Sequence, residues 1–211
     1  MSLKWKHPFT AIIAGPTSCG KSCFIKKFLR EIETMVDIDI SEIVYCLPQN
    51  QPVDREFTRY KVSRGIPDIE NFNDQNARLI ILDDLMREVD ASVVDLFTKG
   101  SHHYNISVIF VTQNIFNQGK GRRDISLNSH YIVCFKNPRD KQQINTLSRQ
   151  VFPENIRYIQ EAYKDATTRP YGYLLFDLKQ STPDLYRFRT NIFTTDIPSN
   201  IVYVPKDYKY E

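Results

Sequence analysis

No run of about 18 apolar residues occurs anywhere in the 211-residue sequence, and the stretch from Met1 to Pro8 carries Lys4, Lys6 and a tryptophan but no apolar h-region. These absences predict a chain that is neither secreted nor membrane-spanning. Cysteine is sparse. Cys19, Cys23, Cys46 and Cys134 form no C-x-x-C pair and no zinc-ligand spacing with the four histidines, which points to a reduced, intracellular compartment. An excess of one charge is also missing: 28 Lys and Arg stand against 25 Asp and Glu, for a net charge of +3 and a pI near 8.6. So mild a balance permits a nucleic-acid partner without arguing for one. There is no internal repeat, low-complexity tract, zinc finger or helix-turn-helix signature, so any nucleic-acid contact is expected to ignore sequence and to weaken steeply with salt.

What is present is the composition of a globular chain, with 41% hydrophobic and 25% charged residues. The length suits one α/β domain over residues 1–211, with a core over about 8–178 and a C-terminal hairpin and extended arm over about 179–211. The 12 tyrosines and 13 phenylalanines are assigned to packing. Thr10 to Ala14 is an apolar run ending at Gly15, as a buried parallel strand would, and Lys21 to Met35 has helical spacing through Phe24, Ile25, Phe28, Leu29 and Ile32. Strands are predicted at Glu42 to Leu47, Tyr60 to Ser63, Leu79 to Leu82, Ser107 to Thr112 and Tyr131 to Phe135, with a helix over Ala91 to Thr98 among them. Pro138 and Pro153 are read as introducing helices over Arg139 to Arg149 and Glu154 to Lys164. Tyr171 to Leu178 and Leu185 to Thr190 alternate like an antiparallel pair, and the tail after Pro198 reads as an arm.

Gly15-Pro16-Thr17-Ser18-Cys19-Gly20-Lys21-Ser22 fits G-x-x-x-x-G-K-[ST] at every fixed position and lies between a predicted strand and a predicted helix. The two glycines let the backbone wrap until its N–H groups converge on phosphate oxygens, and the helix that follows, entered through Cys23, adds its positive end. Lys21 is expected to reach the β- and γ-phosphates of ATP, and the Ser22 hydroxyl to ligate Mg²⁺. About 60 residues later, Leu79-Ile80-Ile81-Leu82-Asp83-Asp84 is an apolar strand delivering carboxylates to the edge of the sheet where ligands gather. Asp83 is assigned to Mg²⁺ and Asp84 to the attacking water, a task for which a shorter carboxylate than Glu serves if the water sits deeper. Asp84 can alternatively cap the next segment. The strand from Ser107 ends in Gln113 and Asn114, and Gln113 is the expected sensor of the γ-phosphate or water. If that strand lies between the phosphate-loop strand and the acidic strand, the fold is a three-layer P-loop NTPase of the additional-strand, RecA-like (ASCE) class, with a mostly parallel central sheet and a C-terminal antiparallel strand pair.

These pieces resemble the FtsK/HerA superfamily of DNA-translocating ATPases, and within it the genome-packaging ATPases of the Polinton, adintovirus and poxvirus type. The resemblance spans most of the chain. It rests on GPTSCGKS, LIILDD, ISVIFVTQN, NSHYIVCFKNPRD ending at Asp140, and LYRFRTNIF from Leu185 to Phe193, with Thr112, Gln113, Asn128 and Asp140 in the family's order. It implies a ring, usually a hexamer, with ATP at the subunit interfaces and double-stranded DNA in the pore, delivered to a capsid vertex. The setting it implies is an infected host cell, with possible retention in the virion. The sequence departs from that family before the sensor strand, where an arginine is replaced by Gly100-Ser-His-His-Tyr-Asn, with His102 near its place. An imidazole does not replace a forked guanidinium. Arg122 and Arg123 are then the first candidates to reach a neighbour's nucleotide, and Arg139 is the other. Gly119-Lys-Gly-Arg-Arg123 and the run Lys99 to His103 are the basic loops that could meet DNA phosphates.

Other classes use the same loop. A small-molecule kinase, of nucleosides for example, would need an acceptor pocket and usually an arginine-rich lid; a helicase or partition ATPase of the same superfamily would share the site, and a nucleotide-binding scaffold would lack turnover.

Overall fold

The computed structural model describes residues 3–68, 70, 72, 74–85, 91–97, 104–116 and 122–206. In chain order the elements are β1 (Thr10–Ala14), α1 (Lys21–Arg30), α2 (Ile32–Met35), β2 (Glu42–Leu47), β3 (Lys61–Arg64), β4 (Arg78–Asp83), α3 (Ala91–Asp95) and β5 (Ile106–Thr112). They continue with α4 (Arg122–Leu127), β6 (Tyr131–Phe135), α5 (Gln142–Val151), α6 (Ile156–Ala166), β7 (Tyr173–Asp177), β8 (Phe188–Thr190) and β9 (Ile201–Val202).

All nine of these strands form one sheet in the order β3-β2-β4-β5-β1-β6-β7-β8-β9. It is parallel from β3 through β6, and β7, β8 and β9 complete it antiparallel. The central strands read as continuous apolar runs because both of their faces are covered. Alternate residues go to opposite cores. Ala11, Ile13, Leu79, Ile81, Ile109 and Val111 pack with Phe24, Ile25, Phe28 and Leu29 of α1, while Ile12, Ile80, Leu82, Val108 and Phe110 pack with Val93 of α3, Ile125 of α4, Ile144 and Leu147 of α5 and Ile159 of α6. Three layers follow: helices, sheet, helices. Each α1 side chain so buried contributes about 1.5–3 kcal/mol against exposure, enough to fix that helix and the loop leading into it.

β5 lies between β1 and β4, the inserted strand of the expected class. Ala14 of β1 stands beside Thr112 of β5, and Asp83 of β4 beside Val111, so the three strands finish level at one edge of the sheet.

The helix expected over Lys21 to Met35 is broken at Glu31, whose carboxylate accepts hydrogen bonds from Thr194 N, Thr194 Oγ1 and Thr195 Oγ1. The helix expected from Arg139 begins only at Gln142. Asn137 Oδ1 accepts from the N–H groups of Arg139 and Asp140, and Asp140 Oδ1 accepts from those of Gln142 and Gln143, so two successive side-chain caps hold Pro138 to Lys141 outside the helix. After Pro153 a short 3₁₀ turn comes first, and α6 starts at Ile156 behind the Asn155 cap on Tyr158 N. Leu185 and Tyr186, expected in a strand, belong instead to another 3₁₀ turn over residues 184–186, which leaves β8 only three residues. Arg122 and Arg123, expected in a loop, begin α4. Ile201 and Val202, in the segment read as an arm, pair with β8.

Candidate active site

The phosphate-loop sequence turns from the end of β1 into α1, and its two glycines are required for different reasons. A Cβ on Gly15 would lie 2.6 Å from Cys19 Sγ and 2.7 Å from Phe135 Cβ, so close packing admits no side chain there. Gly20 has φ of +110°, a conformation other residues rarely adopt, at the position where the first turn of α1 begins. Gly15 N–H donates to Thr112 O at 3.2 Å, which ties the loop to the inserted strand. The Lys21 ammonium lies within the loop and donates to the carbonyls of Gly15 at 2.6 Å and Pro16 at 2.9 Å.

Above the loop is an open cleft of about 490 Å³. Its walls contain Thr17, Ser18, Gly20, Lys21, Ser22 and Cys23 from one side, Asp83 and Asp84 from the end of β4, and Val111, Thr112 and Gln113 from the end of β5. Gly15, Pro16 and Cys19 do not line it; Gly15 is buried beneath the turn and the other two are half-buried. Gln113 and Ser22 are exposed. Asp84 is exposed as well, with φ of +56°. That left-handed conformation, tolerated by Asp better than by most residues, brings the second carboxylate off the strand axis.

Asp83 is the half-buried member, and burial raises its carboxyl above the ordinary value. The Tyr45 hydroxyl donates to Oδ2 and opposes that rise, the neighbouring Asp84 charge adds to it, and Lys21 offsets it. Burial, with the Asp83 charge beside it, also holds the Tyr45 phenol above its usual range and therefore protonated as a donor. The donor set fits one hard divalent cation: the Ser22 hydroxyl and the Asp83 carboxylate are oxygen ligands lining the same cleft.

The segment after β5 is fastened to α5. Asn114 Nδ2 donates to Asp140 Oδ2 at 3.0 Å, Ile115 N–H to Gln143 Oε1 at 2.8 Å, and Thr112 Oγ1 to Asn114 O at 3.0 Å. Asp140 therefore stands behind the sensor segment. Asn128 does not: its carbonyl accepts from Thr10 Oγ1 at the start of β1, the opposite edge of the sheet from the phosphate loop.

The fold is that of the P-loop NTPases. No family model matches the chain, and no curated protein matches it. Among solved structures, the genome packaging NTPase B204 of Sulfolobus turreted icosahedral virus 2, in complex with ATP-gammaS, is similar to it over 83% of this chain and 95% of that one, with a TM-score of 0.54 and 13% identity. The cytoplasmic domain of EssC is similar over 97% of this chain and 41% of its own length, with a TM-score of 0.50 and 10% identity. At these identities the likeness establishes the P-loop NTPase fold, and the resemblance to packaging ATPases is met at that level.

Three contributors to the P-loop site were missed in the sequence reading. Tyr45 reaches Asp83 only because β2 pairs with β4, with Tyr45 beside Ile81. Gln51 enters the cleft from the loop after β2, and Tyr171, expected in a strand, enters it from the turn before β7. A tyrosine set between Pro170 and Gly172 was the available hint of a turn. Residues 98–103 and 117–121, which hold His102 and most of both basic loops, lie outside the described residues, as do the side chains of Arg122 and Arg123. Arg139 is exposed in the turn between β6 and α5. No helix among the described residues is long and apolar enough to cross a membrane.

Proposed function

We propose that this chain is an ATPase that hydrolyses Mg·ATP at the interfaces of a homo-oligomeric ring and uses the energy to move double-stranded DNA into a viral or virus-like capsid, working within the infected cell as a single ATPase unit over residues 1–211. The observation that carries the reading is the meeting of Lys21, Ser22, Asp83, Asp84 and Gln113 in one cleft at the level ends of β1, β4 and β5. The ATP-gammaS complex of the B204 packaging NTPase, which this chain matches over nearly all of that protein's length, supports both the nucleotide and the task.

In this reading the amides of residues 15–22 hold the β- and γ-phosphates, and Lys21 leaves the Gly15 and Pro16 carbonyls to neutralise them. Bound Mg²⁺, held by Ser22 and Asp83, would supply charge neutralisation across the phosphate oxygens. Asp84 accepts a proton from water as its oxygen attacks the γ-phosphorus in line, the bond to the bridging oxygen breaks, and ADP leaves with that electron pair. Gln113 orients the water or the γ-phosphate, and Asn114, Asp140 and Gln143 hold its segment in place. Arg122 or Arg123 of a neighbouring copy would add the cation that completes the site, and the basic segments 98–103 and 119–123 would meet DNA phosphates.

Phosphate release measured with and without linear duplex DNA, alongside particle size, tests this. Rings formed on DNA should hydrolyse ATP faster than isolated chains, Lys21→Ala should abolish turnover, and stimulation should fall steeply with salt and ignore DNA sequence. Brisk hydrolysis by isolated chains without DNA would overturn the translocase, and label transferred from ATP to a nucleoside would replace it with a kinase.

A further inference from the structure

A second cavity, also of about 490 Å³, lies directly beside the phosphate cleft, and the two share Gly20, Cys23 and Tyr171. We propose that this second cavity takes the nucleobase of the bound nucleotide, and that the Tyr171 ring is the platform against which the base packs. The proposal rests on the nucleotide reading above and adds to it the part of the ligand that the phosphate loop does not touch.

Tyr171 is 68% exposed, although the strand that begins two residues later, β7, is buried throughout. It also has φ of +62°, which a bulky side chain rarely adopts. The turn between α6 and β7 holds it there. Thr168 N–H donates to Asp165 O at 3.0 Å and Gly172 N–H to Arg169 O at 3.1 Å, and a Cβ on Gly172 would lie 2.3 Å from the Ala166 carbonyl, so the turn can close only with glycine at that place. Its effect is to lay Tyr171 over the phosphate loop: a Cβ on Gly20 would be 3.1 Å from both Cβ and Cδ1 of the tyrosine. One aromatic side chain therefore borders both cavities at the first turn of α1.

The wall behind it suits a flat, weakly polar ring. Phe24, Phe135, Pro170 and Phe193 supply apolar surface, and Asn191, Asp165, Arg169 and the Lys27–Asp196 ion pair supply polar and charged groups around it. The volume lies within the range of small-ligand pockets, which are mostly apolar with a few polar groups to set orientation. A nucleotide whose phosphates follow the loop toward Cys23 leaves the phosphate cleft where the two cavities meet, so its sugar and base continue into the second one. Base stacking on an aromatic side chain is worth about a tenfold to hundredfold in affinity.

Calorimetric binding of ATP and of inorganic tripolyphosphate, each with Mg²⁺, separates the base from the phosphates. Wild-type protein should bind ATP at least about tenfold more tightly than tripolyphosphate. Tyr171→Ala should bring ATP down toward tripolyphosphate while leaving tripolyphosphate unchanged, and Tyr171→Phe should keep the wild-type preference. Equal affinity of the wild type for the two ligands would overturn the proposal, a comparison that stands even if the alanine variant does not fold. Equal weakening of both ligands by Tyr171→Ala would overturn it too, because the tyrosine would then act only by bracing Gly20. Binding of neither ligand to the wild type would overturn the nucleotide reading itself. Tripolyphosphate binding without any preference for ATP would leave that reading intact and remove only this one.

Discussion

Burial and the adjacent Asp84 charge both raise the Asp83 carboxyl, and the Tyr45 hydroxyl is the side chain that keeps one of its oxygens hydrogen-bonded. Tyr45 is itself 1% exposed, with its ring stacked on Phe57 at 4.0 Å between centroids and 13° between planes. Tyr45→Phe should keep that stack and delete the hydroxyl alone. The carboxylate would then be less firmly oriented toward a cation, and losing such a supporting bond costs about tenfold to a hundredfold in metal affinity. The expected outcome is that the Mg²⁺ concentration needed for half-maximal ATP binding, read by calorimetry, rises by that order while the fold's melting temperature changes little. An unchanged Mg²⁺ requirement would assign Tyr45 to packing. Asp83 was legible in the sequence because two aspartates follow an apolar run; Tyr45 was not, because the pairing of β2 with β4 brings it there and nothing local marks it.

At the scale of elements, the apolar strands were the readable part, since a strand buried on both faces announces itself as an unbroken run. Helix starts were misread where a long-range or capping contact decided them. Pro138 suggested a start, yet Asn137 and Asp140 take the N–H groups that a helix would have left free, and Asp140 is further committed to Asn114 of the sensor segment. This makes Asp140 both the cap of α5 and the brace of the segment that bears Gln113. Asp140→Ala should cost about 1–2 kcal/mol in urea unfolding through the lost cap, and it should also reduce ATP turnover beyond that loss of stability. Asp140→Asn, which can still accept from Gln142 and Gln143, should recover most of the stability. If the alanine variant turned over normally once folded, the brace would have no part in placing Gln113.

The whole molecule is held at both edges of its sheet, and the edge away from the phosphate loop depends on pH. There the Ser107 hydroxyl lies 2.7 Å from His7 Nδ1, while His7 Nε2 lies 2.9 Å from Asn105 Oδ1 and 3.1 Å from Asn105 O. Two oxygen acceptors around Nε2 place the proton on that nitrogen and leave Nδ1 to accept from Ser107, whose oxygen in turn accepts from Phe9 N–H. His7 thus joins the approach to β1 with the start of β5, the two strands whose other ends form the cleft. Burial lowers its pKa below 6.5; the Asn105 bonds and the Asp37 charge oppose that shift, and the Lys179 charge reinforces it. The unfolded chain therefore binds the proton first as pH falls, so this contribution to stability is present above the unfolded value and is lost as pH drops through the lower folded value. Urea unfolding followed from about pH 7.5 to about pH 5.5 should show wild-type stability falling across that window. His7→Gln should start less stable and lose less, because the titrating group is gone while the carboxylates elsewhere in the chain are unchanged. Parallel losses in the two proteins would assign the acid sensitivity to those carboxylates and leave the β1–β5 clasp without a pH-dependent role.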